Sequence, residues 1–206
     1  MAYQHCNRRG DVYFLQAAKT RTGKRRYYFA RQLTGEPIDD VPPGYEVYEA
    51  PRYGQVYLRK ELLTCIAPGE REIVADGVRL FSEVSHFIVD VEEDCLVVYV
   101  PTMSDDKLDS LVRHLAGPDA LQIPRYRAAR DQFVRELEHE KALRFQYCGD
   151  QQRLFLVERW CACGADEWCS READGGWIYL GGPAPLVGLV DDFVERLGKE
   201  SFHELY

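Results

Sequence analysis

The first 31 residues of the chain are rich in side chains that could bind an anion. They include eight Lys or Arg residues and one acidic residue, Asp11, so the segment has a net charge of +7. The other 175 residues carry 18 basic and 33 acidic side chains, a net charge of −15. A basic segment on an acidic body predicts a binding site for phosphate groups, a membrane surface or an acidic protein patch.

Aromatic rings alternate with cations between residues 25 and 31. Alternate side chains of a β-strand share a face, so rings and cations would be interleaved on this strand. Cations can neutralise phosphates while Tyr and Phe rings stack on bases, which predicts a surface for nucleic acid. The predicted anion- or nucleic-acid-binding residues are Lys19, Arg21, Lys24, Arg25, Arg26, Tyr27 and Arg31.

Two other interpretations of this basic segment stay open. Tyr27, Phe29 and Phe14 could be core residues of a sheet whose exposed edge is protected by Lys and Arg side chains. The cations could instead meet an acidic protein surface, including the acidic part of this same chain. The sequence therefore predicts a non-catalytic binding protein associated with nucleic acid, with a protein-interaction or scaffold domain as the alternative.

Three closely spaced cysteines, Cys161, Cys163 and Cys169, could share a zinc ion. Structural zinc sites generally contain two paired motifs such as C-x2-C, and the chain has no second pair. We therefore expect free or buried thiols here, with no metal and no cofactor.

Sequence motifs for catalysis are missing as well. The five histidines are scattered, without an H-x-x-x-H pair, and the chain contains no G-x-S-x-G motif. We therefore expect that the protein is not an enzyme.

The elements that must position the basic residues are predicted to be short antiparallel strands. Segments 12–18 and 25–31 are rich in aromatic and β-branched residues and flank a turn that contains Gly23. Segments 45–49 and 55–60 flank a second turn at 51–54 in the same way. Residues 1–66 are accordingly predicted to form a basic β-meander sub-domain.

Residues 67–206 are predicted to form an α+β sub-domain of two helix-and-hairpin units followed by a carboxy-terminal helix. Apolar residues recur at helical spacing near residues 73–81, 108–115 and 186–197, and alternate in the segments between them. Ser104 and Gly117 are predicted to mark the two ends of the second of these helices, whose buried stripe would consist of Leu108, Leu111, Val112 and Leu115. The predicted class is thus α+β, in one compact domain or two sub-domains. A ferredoxin-like arrangement within residues 55–148 is an alternative, because strand, helix, two strands and helix follow in that order.

Three stretches, at 19–29, 158–161 and 181–186, resemble segments of uncharacterised bacterial proteins. The resemblance implies a bacterial origin and carries no activity with it. The amino terminus lacks an apolar run long enough for a signal peptide, and no stretch reaches the roughly 20 apolar residues of a membrane-spanning helix. These features predict a cytoplasmic protein that does not bind membranes.

Overall fold

A computed structural model of the chain describes residues 1–149, 151–162, 175–199 and 201–202. Within these residues it contains four α-helices and eleven strands in antiparallel sheets, which confirms the α+β class. The chain divides into two compact units. Unit 1 consists of residues 1–62 and 122–137, and unit 2 consists of residues 63–121 and 138–206.

A small sheet in unit 1 contains the basic segment. Its central strand β2 pairs on one side with β3, and on the other side with β1 and the two-residue β4. The predicted meander is therefore confirmed, with strand order β1-β2-β3. The strands are β1 (Gln4–Cys6), β2 (Val12–Lys19), β3 (Arg25–Ala30) and β4 (Glu36–Pro37).

The second predicted hairpin, β5 (Tyr45–Glu49) with β6 (Val56–Lys60), forms a separate two-stranded sheet in unit 1. Unit 1 also includes helix α3 (Pro124–Glu136), in which Pro124 occupies the first turn. Proline fits that position because a backbone N–H in the first turn of a helix has no acceptor within the helix, so its absence costs no hydrogen bond.

Unit 2 is built on a five-stranded antiparallel sheet in the order β11-β10-β9-β8-β7. Apolar side chains from β7 to β10 pack with helices α1 (Glu70–Phe81) and α4 (Leu186–Val194) in one buried cluster. The two predicted hairpins thus join a single sheet. The strands are β7 (Ile88–Glu92), β8 (Cys95–Pro101), β9 (His139–Tyr147), β10 (Leu154–Cys161) and β11 (Gly176–Pro185).

Helix α2 (Asp105–Ala116) begins and ends as the sequence predicts. The Ser104 hydroxyl accepts a hydrogen bond from the Lys107 backbone N–H at 3.4 Å, and Gly117 ends the helix at φ 97°. The predicted buried stripe is only partly correct, because Leu108 is buried whereas Leu111 and Leu115 are exposed. Helical spacing predicts which residues share a face but not how much of that face a neighbour covers.

The ferredoxin-like alternative is wrong. It requires β6 to join the sheet that contains β7 and β8, and β6 pairs with β5 instead. The order of elements along the chain was compatible with both arrangements, since it does not determine which strands become neighbours.

Candidate anion-binding groove in unit 1

The turn of the β2–β3 hairpin projects cations from the end of the sheet. Gly23 adopts a positive φ of 79°, which other residues rarely adopt, and its N–H donates to the Thr20 carbonyl at 2.8 Å. The Thr20 N–H donates to the Lys24 carbonyl at 2.8 Å and closes the turn. Arg21 and Lys24 are therefore held on a defined turn and are exposed to solvent.

Two of the predicted cations are paired with carboxylates. The Arg25 guanidinium lies 2.8 Å from Glu36, and that of Arg31 lies 2.7 Å from Asp11. Arg31 also donates to the Tyr13 hydroxyl at 3.4 Å; this hydrogen bond and the Asp11 charge raise the pKa of Arg31 above its ordinary value. Both side chains thus already have an anionic partner within unit 1.

The other four predicted cations, Lys19, Arg21, Lys24 and Arg26, have none. Within the part of the chain that the structure describes, no carboxylate oxygen lies within 4.0 Å of their nitrogen atoms. All four are exposed. The end of the hairpin therefore concentrates positive charge that the described residues leave unneutralised.

A groove of about 680 Å³ adjoins this end of the hairpin. It lies between the hairpin and β6, and three of the unpaired cations, Lys19, Arg21 and Arg26, line it. Tyr27 lines it too, whereas Lys24, Arg25 and Arg31 are not among its lining residues. The structure thus brings four of the seven predicted site residues to one concave surface.

The aromatic rings of β3 are partly engaged in packing. The Tyr27 ring meets the Tyr45 ring edge to face with centroids 6.2 Å apart, and Phe29 meets Tyr3 in the same way at 6.2 Å. Both side chains are half-buried. Packing therefore accounts for part of the alternation seen in the sequence, as the edge-protection interpretation proposes.

Tyr57 of β6 is an aromatic residue of the groove that the sequence analysis missed. Its side chain is 45% exposed and lines the groove, and among the described residues no aromatic or cationic group stacks on its ring. Tyr28 and Gln55 line the groove as well and were also missed. Nothing in the sequence indicates that the second hairpin lies beside the first, so no local pattern could have identified them.

A second groove, of about 430 Å³, lies in unit 2 between α1 and β7. Its cations are already engaged: Arg71 donates to the Val89 carbonyl at 2.8 Å, and Arg79 lies 2.6 Å from Asp76. This groove is therefore less suited to an anion than the one in unit 1.

The predicted cysteine cluster lies mostly outside the described residues. Cys161 is half-buried at the end of β10, and Cys163 and Cys169 are not described. Among the described residues, no group of three His, Cys, Asp or Glu side chains could hold a metal ion.

Comparisons with protein-family models, with curated proteins and with solved structures find no match to this chain. No helix among the described residues is both long enough and apolar enough to cross a membrane. The fold and the groove thus define the protein as an α+β protein with a basic, aromatic concavity in one of its units.

Proposed function

We propose that the protein is a non-catalytic binding protein of the bacterial cytoplasm that binds single-stranded nucleic acid in the groove of unit 1. The observation that supports the proposal is the contrast between paired and unpaired cations. Arg25 and Arg31 lie on carboxylates, while Lys19, Arg21 and Arg26 line the groove without one. Phosphate groups bind to Lys and Arg side chains, and these three have no other anionic partner among the described residues.

The rings in the groove favour nucleic acid over an acidic protein patch. Tyr27, Tyr28 and Tyr57 line the same concavity as the three cations. Single-strand binding proteins combine a positively charged groove with aromatic rings on which bases stack. Acidic side chains would contact the cations but would not stack on the rings.

Titration of a fluorescent single-stranded oligonucleotide, followed by anisotropy, tests the proposal. Combined Lys19→Ala, Arg21→Ala and Arg26→Ala substitutions are expected to weaken binding about a hundredfold at 0.1 M salt, since each phosphate contact on single strands contributes about 0.7 to the salt exponent. The matched control replaces three exposed cations of unit 2, Lys107→Ala, Arg113→Ala and Arg196→Ala.

The control variant has the same change in net charge and is expected to bind nearly as tightly as the natural protein. Equal losses in the two variants would mean that net charge alone governs binding. Absence of binding by the natural protein at low salt would contradict the proposal and favour the protein-interaction or scaffold alternative.

A further inference from the structure

We infer that the groove accepts one unstacked nucleobase, whose hydrogen-bonding edge meets the open backbone edge of β3 or of β6 and whose face lies on Tyr57. The inference rests on the proposed function and extends it from phosphate binding to base recognition. It also implies a requirement for single strands, because a base in a duplex has its hydrogen-bonding edge occupied by its partner.

The backbone of β3 presents hydrogen-bonding groups to the groove. The Leu15 N–H donates to the Tyr3 carbonyl at 3.0 Å and its carbonyl accepts from Ile38 at 3.1 Å, so both groups point away from β3. Leu15 and its partner Phe29 are therefore a non-hydrogen-bonded pair, and the N–H and C=O of Phe29 point away from β2. Bonded and non-bonded pairs alternate along two antiparallel strands. The N–H and C=O of Tyr27, two residues before Phe29, therefore also point away from β2.

The backbone of β6 also presents hydrogen-bonding groups to the groove, from the side opposite β3. Hydrogen bonds from Ala50 N–H to the Gln55 carbonyl, at 2.9 Å, and from Glu61 N–H to the Gly44 carbonyl, at 3.0 Å, mark the bonded pairs of the β5–β6 hairpin. Val56 lies between bonded pairs, so its N–H and C=O point away from β5. Leu58 is oriented in the same way, and both residues line the groove.

These two edges are not paired with each other in the part of the chain that the structure describes. An outward N–H and C=O on one residue offer an adjacent donor and acceptor, and the Watson–Crick edge of a base presents the complementary pair. Polar backbone groups that no strand satisfies are therefore placed beside the cations that would hold the flanking phosphates.

The spacing of the strands argues against an inserted peptide strand. Cα atoms of β3 and β6 approach within 8 Å. A peptide strand paired with both edges would hold them roughly 9.5 Å apart, twice the usual strand spacing. A base that hydrogen-bonds to only one of the two edges, from the open side of the groove, avoids this limit, and its flanking phosphates would match the charges of Lys19, Arg21 and Arg26.

The test compares two oligonucleotides of equal length, one with normal bases and one of abasic residues with the same phosphates, on the natural protein. The normal strand is expected to bind at least about fivefold more tightly, because base stacking on a ring contributes about that factor or more. A duplex of the same sequence is expected to bind like the abasic strand. This comparison needs no variant, so it does not depend on a mutant's folding.

A pair of tyrosine variants tests the position of the base. Tyr57→Ala should lose the preference for the normal strand, Tyr57→Phe should keep it, and Tyr53→Ala should leave it unchanged. Tyr53 is a matched control because it is 46% exposed, against 45% for Tyr57, and does not line the groove.

The outcomes separate this inference from the proposed function. Loss of binding in the triple cation variant together with equal binding of normal and abasic strands would overturn base recognition and leave phosphate binding intact. Displacement of both strands by an acidic peptide of equal charge, with equal potency, would also overturn it. No binding of any strand would overturn both.

Discussion

The cations of the hairpin differ in what lies next to each of them. Arg25 and Arg26 are adjacent in sequence and both exposed, yet only Arg25 lies beside a carboxylate, that of Glu36. An exposed ion pair contributes little to stability but neutralises the charge that a ligand would meet. Position next to an acid, rather than residue type, thus distinguishes the two arginines.

Substitution of these neighbours gives a direct prediction. Arg26→Ala is expected to weaken binding of a single-stranded oligonucleotide about fivefold at 0.1 M salt, the contribution of one phosphate contact. Arg25→Ala should weaken it less, since its charge is already offset by Glu36. Anisotropy titrations of the two variants check this, and a larger loss for Arg25→Ala would contradict the assignment.

A buried amide holds the loop next to the hairpin. Gln16 is fully buried; its side-chain oxygen accepts from Thr34 N–H at 2.9 Å and from Gly35 N–H at 2.5 Å, and its amide donates to the Gln32 carbonyl at 2.8 Å. These bonds satisfy backbone groups that no strand pairs.

Gln16→Leu is therefore expected to lower the free energy of unfolding by about 1–3 kcal/mol, the cost of leaving such groups without partners. Chemical denaturation measures the change. The matched control is Gln151→Leu, at an exposed position in a turn, for which a change within about 0.5 kcal/mol is expected. Equal effects of the two substitutions would show that the Gln16 bonds do not stabilise unit 1.

Burial raises the pKa of the Cys95 thiol, and nearby Arg144 only partly opposes the shift. The thiolate is the reactive form, so alkylation of Cys95 should reach half its maximal rate at a higher pH than alkylation of free N-acetylcysteine. Mass spectrometry of the peptide that contains Cys95, over a series of pH values, measures this. Restricted access alone would slow the reaction without moving its midpoint.

At the scale of elements, helices α1 and α4 pack closely because α1 carries a glycine at their contact. A Cβ atom on Gly77 would lie 2.1 Å from Val190 Cγ1, whereas one on Gly188 of α4 would meet nothing within 4 Å. The two glycines thus sit in similar helices but in different surroundings.

Gly77→Ala is expected to lower the free energy of unfolding by about 1–3 kcal/mol through overpacking. Gly188→Ala should leave it unchanged or raise it by up to about 1 kcal/mol, since alanine is the better helix former. Thermal or chemical denaturation distinguishes them. The same response in both variants would mean that helix propensity, and not contact with Val190, governs the effect.

Local patterns predicted the elements well. Gly23 marked the first turn, Ser104 and Gly117 marked the ends of α2, and alternating residues marked the hairpins. These signals are local, since a cap or a turn depends on neighbouring backbone atoms. The class of the fold follows from them.

What the sequence could not predict depends on contacts between distant segments. The separation of β5–β6 from the meander, the exposure of Leu115 and the position of Tyr57 in the groove all require knowledge of which elements become neighbours. The same holds for the pairing of Arg25 with Glu36, eleven residues away along the chain. The candidate site was thus predicted as a set of charges, and its concave shape was not.

At the scale of the whole molecule, charge is divided between the units. The sequence of unit 1 contains 15 basic and 9 acidic side chains, a net charge of +6, and that of unit 2 contains 11 and 25, a net charge of −14. A polyanion is therefore attracted to one unit and repelled by the other. This distribution favours a short binding site over extended wrapping.

Heparin affinity chromatography tests the effect of this division of charge between the two units. Although the net charge is −8, the protein is expected to bind heparin at pH 7 and low salt, because the local charge of unit 1 governs contact with a polyanion. The Lys19→Ala, Arg21→Ala, Arg26→Ala variant should elute at lower salt than the unit 2 control variant. Passage of the natural protein without retention would show that its overall charge prevails.

The salt dependence of binding tests the central claim most directly. We expect the logarithm of the association constant for a single-stranded oligonucleotide to fall linearly with the logarithm of salt concentration. The slope should be shallower by about 2 in the variant that lacks the Lys19, Arg21 and Arg26 cations, since three phosphate contacts are lost at about 0.7 each. Identical slopes for the variant and the natural protein would contradict the claim that these three cations hold the phosphates.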